Sequence, residues 1–466
     1  MNRIAWIAGI TAALLVPITT PAQEIDLETA VAFALESNLG IESELAEVRQ
    51  KKLIADTWWN RFYPSASATV TMGRRNSVSE QTALVPLQNS INPATGGFDE
   101  VGLRTQEQPR WFMSAGVDLT LELSMQMVPG ISLSRLEYEN GLISLAEARA
   151  QVERDVSQQF YDLILLKRRI ALQEQQIANA EQRYQQAQAN FDNGLIDEYN
   201  LLSSQVSLEN LRPTLTGLQT SYQQALLAFK NSIGLPLSTD IDPAGVIDPP
   251  EVDFDTTTVE RPVLRQRFDI QQLEKVAHLV REQRRAADLD PRTGRAPYVR
   301  FGFNVDPSFS GDPWDDNWFD GDKWSQQSGA FRISIVQPLD AWLPYSRTRN
   351  QLSEFVTQLE QNRLNLEQAL RGAEIRVQGL LLQIRNSSET LRALERNVEL
   401  ARRAYDLAEV GYNNGLRDLL EVQTAEVELQ DAELNLLEEK KNIMDSFLEL
   451  EYEMNATLNE IREIQQ

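Results

Sequence analysis

The sequence predicts a mainly α-helical chain with a β-barrel portion: two long helical hairpins, related by duplication, that together carry four β-strands. Three observations predict it. A seven-residue apolar ladder is written twice at a constant offset, both copies stop at Asn-Gly-Leu, and segments of strict period two precede each ladder.

The first ladder is Val156, Leu163, Ile170, Ile177, Tyr184 and Phe191, ending at Asn193-Gly194-Leu195. The second is Val377, Ile384, Leu391, Val398, Tyr405 and Tyr412, ending at Asn414-Gly415-Leu416. The offset is 221, since 377 − 156 and 415 − 194 agree. Beyond each glycine the seam resumes, with Leu208, Leu215, Tyr222 and Phe229 matched by Leu429, Leu436, Ile443 and Leu450. A heptad seam keeps one stripe facing a neighbouring helix along its whole length, as coiled-coil packing requires. A helix from about Ser132 to Phe191 would run roughly 90 Å, several times the mean globular helix. Glycine just past a helix end is a stop signal, so Gly194 and Gly415 read as hairpin tips. Pro213 should kink the first return helix. The ladders alone leave a filament-like coiled coil open.

The period-two segments change the balance. From Val117, the residues Val117, Leu119, Leu121, Leu123, Met125 and Met127 alternate with Asp118, Thr120, Glu122, Ser124 and Gln126. Successive strand side chains point to opposite faces, so such a strand is apolar on one side and polar on the other. Tyr298 to Asp306 repeats the device through Val299, Phe301, Phe303 and Val305, and weaker strands are expected at Ser65–Met72 and Phe331–Gln337. The polar, Gly/Pro/Asp-rich stretches Gly73–Arg110 and Pro307–Ser328 read as loops.

Residues 1–22 read as an export signal, with Arg3, an apolar run from Ile4 to Val16, and Thr20-Pro21-Ala22 as a small-residue cleavage site. Its loss would take the net charge of −24 to −25, because Arg3 is the only charge in it. The absence of cysteine excludes a disulfide framework and a lipid-modified N-terminal cysteine. An acidic chain is a poor partner for nucleic acid, which needs clustered Lys and Arg.

Little catalytic chemistry is available. His278 is the only histidine, on an amphipathic segment with Leu273 and Val276, and reads as a helix-surface residue. No Cys/His cluster suits zinc and no nucleophile triad assembles around one imidazole. Asp312, Asp315, Asp316, Asp320 and Asp322, interleaved with Trp314, Trp318, Phe319 and Trp324, lack EF-hand spacing and read as a solvated loop, with a cation or surface partner as the alternative. We therefore expect no catalytic residue, no metal, no cofactor and no enzyme activity.

Only helices and closed barrels satisfy the backbone in lipid. Amphipathic strands without a spanning helix then point to a barrel, and four strands cannot close one, because membrane barrels start at about eight. Several copies of the chain must pool their strands, two or three in a symmetric ring. A soluble sheet-plus-coil protein is the alternative.

Taken in order, these residues resemble the TolC-like outer-membrane efflux proteins. The carriers are Ile25-Asp26-Leu27 with Ala30, Ala34-Leu35 and Asn38, then Tyr63-Pro64, the two Phe/Tyr-x-Asn-Gly-Leu tips, Gly234-Leu235-Pro236, Arg261-Pro262 and Gln337-Pro338-Leu339. One departure is Met127-Val128-Pro129-Gly130, where the first half lacks a Gln-Pro-Leu counterpart. The resemblance implies a homotrimer with a twelve-stranded barrel, four membrane strands per chain, on an α-helical periplasmic tunnel. Residues 1–22 would be the signal peptide, 23–234 the first repeat, 235–260 a linker and 261–466 the second repeat. The partners implied are a periplasmic adaptor, an inner-membrane pump and outer-membrane lipid.

The resemblance also places roles on residues. The tips, Asn193, Gly194, Leu195, Asn414, Gly415 and Leu416, would dock the adaptor. Tyr412, Arg417 and Glu421 match the family's gate, whereas its acidic partner at the first tip is here Asn200 and its second acidic ring position is Thr424. A tie from Arg417 to neutral Asn200 would be a hydrogen bond rather than an ion pair, with Asp197 or Glu198 as substitutes. The expected function is a passive exit duct of a tripartite efflux or type I secretion system. A structural coiled-coil spacer and a stand-alone porin are the alternatives.

Overall fold

The computed structural model describes residues 23–76, 80–86, 101–107, 111–250, 264–311, 320–325, 328–414, 416–458 and 460–461. The expected signal peptide, Arg261-Pro262, Gly415 and most of the Asp/Trp run (312–319) lie outside these residues. The chain divides into two compact units, one of residues 1–49, 140–274 and 364–466, the other of 50–139 and 275–363.

Helices dominate the first unit. Helix α1 (Leu27–Ser37) is opened by Asp26, whose carboxylate accepts the Thr29 N–H at 3.0 Å, and α2 (Leu39–Asp56) follows. The first hairpin is α3 (Met127–Asp192), 66 residues long, returning as α4 (Glu198–Ser232). The second is α6 (Arg347–Asn413), 67 residues long, returning as α7 (Leu419–Met454). At ~1.5 Å per residue each outgoing helix runs about 100 Å. Short α5 (Phe268–Asp288) precedes the second pair of strands. Strand β1 (Gln23–Ile25) pairs in parallel with β6 (Ile241–Pro243), which clamps the N-terminal segment beside the first hairpin's core.

The heptad ladders are the cores of the hairpins, but unevenly. Val156, Leu163, Phe160 and Phe229 are buried together in the first hairpin, and Val377, Ile384, Ile443 and Leu450 in the second. Toward the tips the same ladder opens: Tyr184, Tyr405 and Tyr412 are half-buried and Phe191 is exposed. Helix α4 continues through Pro213 to Ser232, so that proline does not end the helix. Both Pro213 and Glu209, whose carbonyl loses its donor there, are exposed to water.

The second unit is built on an antiparallel sheet in the order β2-β5-β7-β9, with β2 at Ser65–Arg74, β5 at Trp111–Ser124, β7 at Tyr298–Val305 and β9 at Ala330–Val336. All four expected strands are present, with three corrections. Strand β5 starts upstream at Trp111 and stops at Ser124, so Met125 and Met127 are not strand residues. Helix α3 starts at Met127 rather than Ser132, because Pro129 falls in the first turn, where a missing N–H costs nothing. The stretch 73–110 is not all loop, since β3 (Glu80–Pro86) and β4 (Val101–Glu107) pair as antiparallel strands, and within 307–328 a short β8 (Ser308–Ser310) pairs with β5. His278 is exposed on α5.

Candidate functional site

Two surfaces stand out, one in each unit. In the sheet, the register aligns like with like. Val117, Leu119, Leu121 and Leu123 of β5 oppose Val305, Phe303, Phe301 and Val299 of β7, and the latter three oppose Phe331, Ile333 and Ile335 of β9. On the other side β2 sets Ala66, Ala68, Val70 and Met72 against the same face of β5. Period two places all of these on one face. That face is bare: Val70 is 67% exposed, Phe331 66% and Ile335 77%. The reverse face is polar, with Asp118 opposite Asn304, and Glu122 ion-paired to Arg300 at 2.7 Å. The sheet is open, with β2 and β9 at its edges among the described residues.

Aromatics gather where β2 begins and β9 ends, which the register places at the same end of the sheet. Before β2, a 3-10 turn at Trp58–Phe62 sets Trp58 edge-on to Phe62 and Trp59 edge-on to Tyr63, all four exposed. After β9, Trp342 and Tyr345 are 64% and 91% exposed. Sequence reasoning noted only Tyr63, because isolated aromatics outside a periodic run carry no pattern.

The hairpin tips show why Asn-Gly-Leu recurs. A helix end leaves carbonyls without donors. Asn193 Nδ2 donates to the Ala189 carbonyl at 2.6 Å, and Asn414 Nδ2 to the Val410 carbonyl at 2.7 Å. Gly194 turns the chain at φ +68°, and Leu195 N–H reaches back to the Asn190 carbonyl at 2.8 Å. This six-to-one bond closes a Schellman motif, which wants glycine at the left-handed position. Leu416 N–H makes the same bond to Gly411 at 2.8 Å. Each return helix then starts at an aspartate in both repeats: Asp197, which accepts the Asn200 N–H at 3.0 Å, and Asp418. Leu195 and Leu416 are left 72% and 81% exposed.

Of the gate candidates, the structure brings together Arg417 and Glu421, at 2.8 Å. Tyr412 is half-buried against Ala408 and Val422. Asn200 spends its backbone N–H on the Asp197 cap, and among the described residues no hydrogen bond joins its side chain to Arg417. One contributor went unseen in the sequence: a Cβ on Gly411 would stand 2.9 Å from Arg417 Cδ, so the arginine stem crosses the helix at that glycine. Deeper in, Glu426 is buried and takes hydrogen bonds from Asn179 at 2.6 Å and from Arg183.

Long duplicated hairpins with matched capped tips, together with a sheet that is apolar on one face and open at both edges, define the class of envelope channel-forming chains. A sequence model of the outer membrane efflux protein family matches residues 33–235 and 264–454, and the chain belongs to that family. Solved structures share its fold. The CmeC outer membrane channel of Campylobacter jejuni is 15% identical, with 100% of this chain and 98% of that one covered at a TM-score of 0.69. VceC of Vibrio cholerae is 15% identical, with 92% and 96% covered at 0.65. The MtrE outer membrane channel of Neisseria gonorrhoeae, in its open state, is 15% identical, with 93% and 89% covered at 0.66. No curated protein sequence matches the chain.

Proposed function

We propose that this chain forms the passive exit duct of a tripartite efflux or secretion system, as a homotrimer whose pooled strands close a twelve-stranded barrel in the outer membrane. The observation that carries the reading is the bare apolar face of the sheet. An exposed face of Val, Leu, Ile and Phe spanning four strands is untenable in water, and its open edges need further strands. Lipid satisfies the face and copies of the chain satisfy the edges. The aromatics at one end of the sheet suit a membrane–water interface, where amphipathic rings collect. Family membership supports the same conclusion.

In this reading the helical hairpins continue the channel into the periplasm, and the two tips receive adaptor hairpins. Exposed Leu195 and Leu416, on backbones turned by glycine, offer an apolar contact with close backbone approach. An inner-membrane pump supplies the energy. The chain itself is a conduit and carries out no chemistry.

Single-channel recording on the purified protein in planar bilayers tests the proposal. Discrete conductance steps are expected. A protein that reconstitutes yet never conducts is a spacer. Export in cells that depends on an adaptor distinguishes a duct from a stand-alone porin, and Gly194→Trp should abolish that export while leaving assembly intact.

A further inference from the structure

Beyond the first hairpin the linker closes one side of a cleft of about 490 Å³, whose other walls are α3, α6 and α7. That volume falls within the roughly 300–1,000 Å³ of small-molecule sites. The floor is apolar. Ile164 and Leu172 lie on one stripe of α3, and Val398 and Leu436, both heptad-seam residues of the second hairpin, are only half-buried, so the seam opens into the cleft. The rim is fixed. A Cβ on Gly245 would stand 3.0 Å from the Phe160 ring, so the linker backbone lies against that ring, and Ile247 is buried in the same core. Between them Val246 is 82% exposed at the mouth.

The charge of the cleft runs against that of the chain, which is −24 overall. Arg168, Arg402 and Lys440 line it, with Glu433 as the lining carboxylate. Arg402 Nη2 donates to Glu433 at 2.6 Å and Lys440 Nζ to Asp248 of the linker at 3.2 Å, which leaves further N–H donors on both cations. Arg168, exposed on α3, forms no ion pair among the described residues. Three cations against the two carboxylates Glu433 and Asp248 leave one positive charge unbalanced. The repeat does not require these cations. The residues 221 positions away are Glu389 for Arg168, Glu181 for Arg402 and Gln219 for Lys440, whereas Val398 and Leu436 keep apolar counterparts in Ile177 and Leu215. The apolar floor serves the coiled coil, and the cations serve something else.

We propose that this cleft binds a dissolved amphipathic carboxylate, its apolar body along Val398 and Leu436 and its negative head on Arg168, supported by the free donors of Arg402 and Lys440. A monoanion matches the one unbalanced charge, and Glu433 disfavours a second negative head. Every wall is hairpin helix or linker and none is sheet, so the ligand arrives from solution. Once bound, it ties the linker to both hairpins. The site is complete within one chain and asks nothing of conductance, so it goes beyond the channel reading and stands or falls apart from it.

Equilibrium binding of radiolabelled decanoate to the full-length protein in nanodiscs of zwitterionic lipid, with empty discs subtracted, tests the proposal. Saturable binding at one site per chain is expected, competed by unlabelled decanoate and not by decyltrimethylammonium. Arg168→Glu should weaken it about tenfold or more, through loss of a charge-assisted contact, and Arg168→Lys should retain it. Leu436→Trp, which fills the floor, should abolish it. Val246→Glu sets a repelling charge at the exposed mouth without touching the core, should also weaken binding, and decides together with Arg168→Glu if the tryptophan variant does not fold. Binding that never saturates above empty discs overturns the inference, as does equal competition by the cationic amphiphile. Wild-type affinity in both Arg168→Glu and Val246→Glu would place the bound decanoate elsewhere and overturn it too.

Discussion

Arg417 occupies a poor electrostatic position. It stands one residue before Asp418, the first cap of α7, and so at the positive end of that helix's dipole. Glu421, in the first turn, holds it at 2.8 Å, but both side chains are half exposed and such a pair contributes only about 0.3–0.5 kcal/mol. We propose that this weak tie is a gate latch, which must release when the channel opens. Its geometry depends on Gly411, whose missing Cβ leaves room for the arginine stem. We expect Gly411→Ala to act like Arg417→Ser, each raising resting conductance in planar bilayers, although alanine should strengthen the helix by up to about 1 kcal/mol. Wild-type leakage in both variants would overturn the gate role proposed for Arg417. Farther from the tip, burial raises the carboxyl of Glu451 above its ordinary value of 4.5. The folded state therefore holds that proton to higher pH than the unfolded state does. Stability contributed by this group is present below the unfolded value and lost as pH rises through the raised one. Glu451→Gln keeps an acceptor for the Leu458 N–H, which bonds Glu451 Oε1 at 2.8 Å. It should raise the melting temperature at pH 7 and flatten its decline across the weakly acid range, as a series of thermal melts would record.

Among elements, the sheet gives the sharpest contrast. Arginine at Leu121 or Phe303 would place a charge on the apolar face, at a cost of roughly 2–4 kcal/mol near the middle of a bilayer, and should reduce assembled protein in membranes. Arginine at Thr120 or Asn304, one residue away on the polar face, should leave yield unchanged when membrane fractions are compared. Equal yields from the two sets would mean that the face does not meet lipid. The same contrast explains what was legible beforehand. Strands with a clean apolar and polar alternation, such as Val117–Leu123 and Val299–Val305, announce themselves. Strand β5 begins six residues before Val117, yet Trp111-Phe112-Met113-Ser114-Ala115-Gly116 lacks that alternation and hides its start. Strands β3 and β4 likewise sit in a polar run bounded by proline and glycine, which imitates a loop. The hairpins and their tips were readable because heptads and Asn-Gly-Leu are local signals. The tie between Arg183 and Glu426 was not, since the two residues lie 243 apart in sequence and only the packing of one hairpin on the other brings them together.

For the whole molecule, the open sheet sets the terms of stability. Among the described residues, β2 and β9 are the edges of the sheet, with backbone groups that no further strand pairs, and its apolar face is exposed. In the proposed barrel, four strands per chain fall short of the roughly eight at which membrane barrels begin, so its closure would require more than one chain. In the proposed assembly the folded barrel and the oligomer are one thermodynamic object, and stability would depend on protomer concentration. The hairpins differ in this respect. Their cores around Phe160 and Phe229, and around Val377 and Phe447, are complete within one chain. Two losses should therefore separate on dilution into mild detergent. Strand signal in circular dichroism should disappear together with the oligomer measured by native mass, at a midpoint that shifts with protein concentration. Helical signal should outlast both. A monodisperse monomer that retains its full strand content would show that one chain satisfies its own edges, and the pooled barrel would have to be abandoned.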